Sequence, residues 1–272
     1  MAYETLTETE WERVNRIWDL LEDGELERAR LELDDMMRKR PGHPDLKIVD
    51  ASIAIDEGEP EHALDTLRGA ERSADPALFF HLRALAQFQL AKFEEARDDA
   101  ERALAIRAEM PEAHDLMSRA LEHLGAEEDA RRHAEEATGL DPETFPPPLA
   151  VGDEEFDTLV ESSLEQLPPR VRKHLEEIPV LVQPLPDRAV LTAETPPLTP
   201  DLLGLFVGRD LMTSRNDDPP SSPGAIFLFR RNLLRACRDR EELAREVRIT
   251  VQHEVGHLLG LNEDELESWG LG

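Results

Sequence analysis

Two histidines four residues apart, His253 and His257, enclose a glutamate, Glu254, near the C-terminal end of this 272-residue chain. On an α-helix that spacing stacks both imidazoles on one face, close enough to grip a single metal ion. Zinc takes imidazole nitrogen in a tetrahedral shell, and a catalytic zinc keeps one position for water. A carboxylate between the two ligands stands where it can take a proton from that water. Gly260, three residues after His257, suits a helix stop because glycine tolerates a left-handed backbone. The chain can then turn and bring Glu263 round as a third ligand, with Asp264 and Glu265 as competitors. The pattern predicts a zinc hydrolase site with Glu254 as general base.

The elements that must position these residues are legible upstream. Asp239 can cap a long helix, and Glu242 three residues later can complete a capping box. Leu243, Val247, Val251, Val255 and Leu258 recur at helical spacing and should face a core. His253 and His257 then lie on a neighbouring flank with Glu246, Ile249 and Thr250. Before this helix, Val180–Val182, Leu203–Val207 and Ala225–Phe229 read as strands. The edge of the Ala225–Phe229 strand could align an extended peptide by main-chain pairing. Residues 153–167 read as an amphipathic helix, Pro168-Pro169 interrupts it, and a shorter helix should run from Val171 to Glu177. The polar stretch Arg209–Gly224 offers no regular pattern.

The N-terminal half is repetitive. Ala29, Ala63, Ala96 and Ala130 form one column at a period of about 34 residues. Met36, Ala70, Ala103 and Ala137 form a second, and Pro41, Pro76, Pro111 and Pro142 a third. Small residues at fixed positions let paired antiparallel helices approach closely, and each proline should stop a second helix. Turns within the pairs are expected at Asp23-Gly24, Glu57-Gly58, Ala91-Lys92 and Gly125-Ala126. Residues 10–142 therefore resemble tetratricopeptide repeat proteins. The boundaries expected are a repeat domain over 1–142 with about four repeats, a proline-rich linker over 143–152, and a second domain over 153–272.

Composition narrows the function. Asp and Glu total 60 against 31 Lys and Arg, a formal charge of −29. Such a field repels nucleic acid and anionic membranes, and it keeps a repeat protein soluble. The single cysteine, Cys237, permits no internal disulfide and no multi-cysteine zinc site. Its apolar surroundings suit a packing residue better than a nucleophile. The first ten residues lack the basic and apolar segments of a secretion signal, and no apolar run nears the ~20 residues needed to span a bilayer. The expected location is the cytoplasm. Phosphate-loop, dinucleotide and nucleophile-elbow motifs are missing.

The second half resembles the minimal zincin family of small bacterial zinc metallopeptidases. The resemblance rests on Leu203-Gly204-Leu205-Phe206-Val207-Gly208, on Ile226-Phe227-Leu228-Phe229-Arg230, and on Thr250 through Glu263. It implies a small zincin-like α/β (α+β) domain, following an all-α tetratricopeptide repeat solenoid. It also implies His253, His257 and Glu263 as zinc ligands, Glu254 as general base, and peptidase chemistry. The spacing is similar to that of metzincins too, but no methionine follows Glu263, so the Met-turn of that group is absent. The only tyrosine is Tyr3, which leaves His174, Arg209, Arg215 and Arg230 as conceivable oxyanion partners.

The function expected is a zinc-dependent metallopeptidase acting on a peptide or protein substrate, with a protein partner docked in the repeat groove. The rival is a non-catalytic adaptor, in which zinc only stabilises a small domain and the repeats carry the function.

Overall fold

A computed structural model describes residues 5–71, 73–175, 178–208 and 224–259. The chain divides into two compact units. One comprises residues 1–146 with Leu191–Thr199, and the other comprises Pro147–Val190 with residues 200–272. Among the described residues, no helix is long and apolar enough to cross a membrane.

The first unit is a row of four helical hairpins. They are α1 (Glu8–Glu22) with α2 (Leu26–Lys39), α3 (Pro44–Asp56) with α4 (Pro60–Leu67), α5 (Pro76–Gln89) with α6 (Phe93–Ile106), and α7 (Pro111–His123) with α8 (Glu127–Leu140). The two small-residue columns lie at the packing seams: Ala29, Ala63, Ala70, Ala96 and Ala103 are fully buried, and Met36, Ala130 and Ala137 nearly so. A longer side chain there would hold the paired helices apart.

All four hairpin turns close in the same way. The amides of Glu25, Glu59, Lys92 and Ala126 donate to the carbonyls of Leu20, Ala54, Gln87 and Leu121, at 2.8, 2.8, 2.9 and 2.9 Å. This six-to-one bond needs a left-handed residue just past the helix. Gly24, Gly58 and Gly125 supply it at φ of 74°, 75° and 74°, and Ala91 supplies it at 54°. The prolines divide their work differently from the expectation that each stops a second helix. Pro41 and Pro142 follow α2 and α8, but Pro76 and Pro111 are the first residues of α5 and α7. A first-turn amide has no intrahelical partner, so proline loses nothing by lacking it.

The second unit opens with Leu149 and Val151 already packed on it. The Leu149 amide donates to the Leu234 carbonyl at 3.0 Å, and Val151 is buried in the core. Then come α9 (Asp153–Glu165), α10 (Pro169–Leu175), β1 (Val180–Gln183), α11 (Arg188–Leu191), β2 (Gly204–Val207), β3 (Ala225–Phe229), α12 (Arg230–Ala236) and α13 (Arg240–Leu258). The short helix thus begins two residues earlier than expected, and Glu176 and Glu177 lie outside the described residues.

The sheet order is β1-β3-β2, with β1 parallel and β2 antiparallel to β3. Ala225–Phe229 is therefore the central strand, paired on both sides, and cannot offer an edge to a peptide. This corrects the sequence-based expectation; the outer strand beside the last long helix, α13, is β2. Its apolar alternation placed it correctly as a strand, but pairing order depends on chain connections that periodicity does not encode.

Helix α13 is the spine of this unit. Leu243, Val247, Val251 and Val255 are fully buried and Leu258 nearly so, against Phe156 and Val160 of α9, Ile226 and Leu228 of β3 and Leu233 of α12. Burying side chains of this size stabilises by about 1.5–3 kcal/mol each. Asp239 caps the helix by accepting from the Glu242 amide at 2.8 Å. The expected reciprocal bond is displaced by one residue: the Glu242 carboxylate accepts from the Arg238 amide at 2.8 Å.

Candidate metal and catalytic site

The last two turns of α13 carry the histidine pair. His253 Nε2 and His257 Nε2 approach to 2.9 Å, and their rings stand at 86° to each other. The two nitrogens thus stand together beside the helix, where a position shared between them could take one ion. Tetrahedral zinc, with bonds of about 2.0–2.1 Å, needs two ligating nitrogens roughly 3.3 Å apart, so a small rotation of either ring seats them. His257 is exposed and His253 half-buried, which leaves the shared position open on one side.

Glu254 lies on the buried flank of the helix. It is buried, and its Oε2 accepts the Phe206 amide of β2 at 2.6 Å. The antiparallel register explains why that amide is free: Leu205 pairs with Phe227 and the Phe229 amide bonds Leu203, so residues 204 and 206 turn their amides away from β3. Burial raises the Glu254 carboxyl above its ordinary range, opposed by the Phe206 amide and by the two histidines. An upward shift is the direction that suits a general base.

A second contact sets this geometry. A β-carbon at Gly204 would come within 2.4 Å of Thr250 Cγ2 and 3.0 Å of the Phe227 carbonyl oxygen. Gly204 thus lets α13 lie directly on β2. The pairs Gly204–Thr250 and Phe206–Glu254 show the helix and strand running in the same direction. Two strand residues, about 6.8 Å, are matched to four helix residues, about 6 Å. The Phe206 ring closes the end of the β2–β3 pair, lying over Gly208 and Gly224, where an added β-carbon would meet it at 2.6 and 2.5 Å.

The sequence-based residues divide as follows. His253 and His257 are brought together, and Glu254 is placed beside them on the buried flank. Helix α13 ends at Leu258, just ahead of Gly260, which with Glu263, Asp264 and Glu265 lies outside the described residues. Among the described residues, no group of three His, Cys, Asp or Glu side chains gathers round one point. Arg209, Arg215 and the His174 side chain are likewise outside the description.

Arg230 is committed elsewhere. It donates to the Val151 carbonyl at 2.7 Å, pairs with Asp153 and lies over the Phe156 ring, 5.5 Å from its centroid. That makes it a brace for the start of α9. Cys237 is buried, and its thiol is pushed up to about 11, first by burial and then by nearby Glu246, Glu242 and Asp239, so it is a poor nucleophile. Gly204 and the Phe206 amide were given no role of their own from sequence, beyond their place in the segment Leu203–Gly208. A glycine inside a strand signals close backbone approach, and that signal was present.

Residues 175–271 match the family model described as a zincin-like metallopeptidase. The match spans β1 to β3 and the whole of α13. The comparison with curated proteins returned no match. Among solved structures, two crystal structures of MamA are similar at 17% identity. The first has a TM-score of 0.39 and covers 46% of this chain and 73% of that one; the second has 0.40 and covers 50% and 75%. PilF of Pseudomonas aeruginosa is similar at 15% identity and a TM-score of 0.32, covering 56% of this chain and 80% of its own. Likenesses that distant carry no inference about what this chain does.

Proposed function

We propose that the second unit is a zinc-dependent metallopeptidase and that the repeat unit docks its protein substrate or partner. The observation that carries this reading is the convergence of His253 Nε2 and His257 Nε2 at 2.9 Å, with Glu254 between them on the same helix. The family match over residues 175–271 supports the same class. His253 and His257 would hold the ion, with Glu263 as third ligand.

When bound there, zinc supplies a Lewis acid that acidifies water and polarises a carbonyl. Glu254 handles the proton. Its carboxylate accepts it from the attacking water and returns it to the leaving amine. The Phe206 amide holds the carboxylate in place and leaves its second oxygen for that exchange. The acidic surface and the single cysteine fit an enzyme working in the cytoplasm.

A second reading also has an observation in its favour. The 2.6 Å bond from Phe206 to Glu254 ties a helix to a strand, as a purely structural glutamate would. In that case the protein is a repeat adaptor carrying a non-catalytic zinc domain. Zinc content and cleavage of an unbiased peptide library, measured on wild type and Glu254→Gln, separate the two. Zinc with cleavage that the Gln variant loses supports the peptidase; zinc with no cleavage in either supports the adaptor.

A further inference from the structure

The last helical hairpin holds a second pair of converging imidazoles, outside the segment that matches the peptidase family. His114 on α7 and His133 on α8 meet through their Nδ1 atoms at 2.9 Å, with ring centroids 5.1 Å apart. The other nitrogen of His114, Nε2, lies 3.0 Å from the Ala108 carbonyl oxygen. A carbonyl only accepts, so Nε2 carries the proton and donates it. In the neutral ring the lone pair is therefore on Nδ1, the atom that faces His133. Ligating histidines are oriented in this manner, with the remoter N–H bound to a backbone carbonyl.

Neighbouring charge is mixed. Asp129 and Glu136 stand four residues before and three after His133, on the same face of α8. Both act electrostatically on His133, as does Arg132, which is itself paired with Asp129. Among the described residues no third His, Cys, Asp or Glu completes a ligand set.

We propose that His114 and His133 form a transition-metal site that staples α7 to α8 in the last hairpin of the repeat row. The ion is a divalent one that favours imidazole nitrogen, such as zinc. A ligand that bridges two elements binds the folded hairpin and not the unfolded chain, and so stabilises it by mass action.

The test is a titration with zinc chloride alone. It uses the full chain carrying His253→Ala and His257→Ala, so that the C-terminal pair is removed from the count. One molar equivalent should bind by calorimetry, and Tm should rise with zinc. Adding His114→Gln or His133→Gln should abolish both effects, whereas His62→Gln, an exposed histidine elsewhere in the repeats, should leave them unchanged. In the chain without substitutions, the ring proton resonances of His114 and His133 should shift together on zinc addition, a reading independent of how any variant folds. If no equivalent binds, if binding survives both Gln changes, or if the two rings do not respond together, the pair is an ordinary N–H···N hydrogen bond and the proposal fails.

Discussion

Gly204 lies against Thr250 so closely that a β-carbon on the strand would fall 2.4 Å from the threonine methyl. Thr250 is buried one turn before Glu254, so anything that lifts it also lifts the carboxylate. Gly204→Ala should therefore push α13 off β2 and break the Phe206–Glu254 bond. The expected cost is about 1–3 kcal/mol in denaturant unfolding, the usual range for overpacking. A companion Thr250→Ser, which removes the offending methyl, should recover part of that loss; no recovery would place the strain elsewhere.

Glu254→Gln preserves shape and the ability to accept the Phe206 amide, but it cannot take a proton. Peptide cleavage should fall by about 10²–10⁴-fold, the usual worth of a general base, with zinc content unchanged. His257→Ala should lose zinc and activity together. Metal analysis of both variants alongside the rates checks the pair, and full activity in the Gln variant would remove Glu254 from the chemistry.

Gly58 isolates backbone strain from packing. It sits at φ +75°, and a β-carbon there would meet nothing within 4 Å. Gly58→Ala should therefore destabilise by about 1 kcal/mol, the left-handed penalty for an L-residue less the gain from a stiffer unfolded chain. Ala91, at the equivalent turn, already bears that penalty at φ 54°. Thermal unfolding of the single variant gives the number, and an unchanged Tm would mean that the turn relaxes.

His81 on α5 is buried, its Nδ1 has no hydrogen-bond partner, and desolvation holds its pKa down at about 4 against an ordinary value of 6.5. Because the folded-state value is depressed, the unfolded chain takes up the proton first. The neutral ring's contribution is complete above pH 6.5 and is lost as pH falls toward 4. The loss approaches about 3 kcal/mol at the acid end. In His81→Leu this component should vanish. The stability difference between variant and wild type should accordingly shift toward the variant by that order between pH 7 and 4, as read by urea unfolding at each pH. A constant difference would show that His81 takes up its proton equally in the folded and unfolded states.

Local chemistry was readable without coordinates wherever a short-range rule applied. The 34-residue period, the turn glycines and the apolar stripe of α13 all depend on neighbours within a helix or hairpin. The H-E-x-x-H spacing belongs with them, since four residues on one helix fix the proximity of His253 and His257 whatever surrounds them. Strand order was not of that kind. Whether β2 or β3 forms the edge depends on which strand pairs with which, and side-chain alternation is the same in either case. The approach of His114 to His133 and the bond from Phe206 to Glu254 likewise join residues 19 and 48 positions apart. Their partners are chosen by packing of whole helices and strands, which only the folded chain decides.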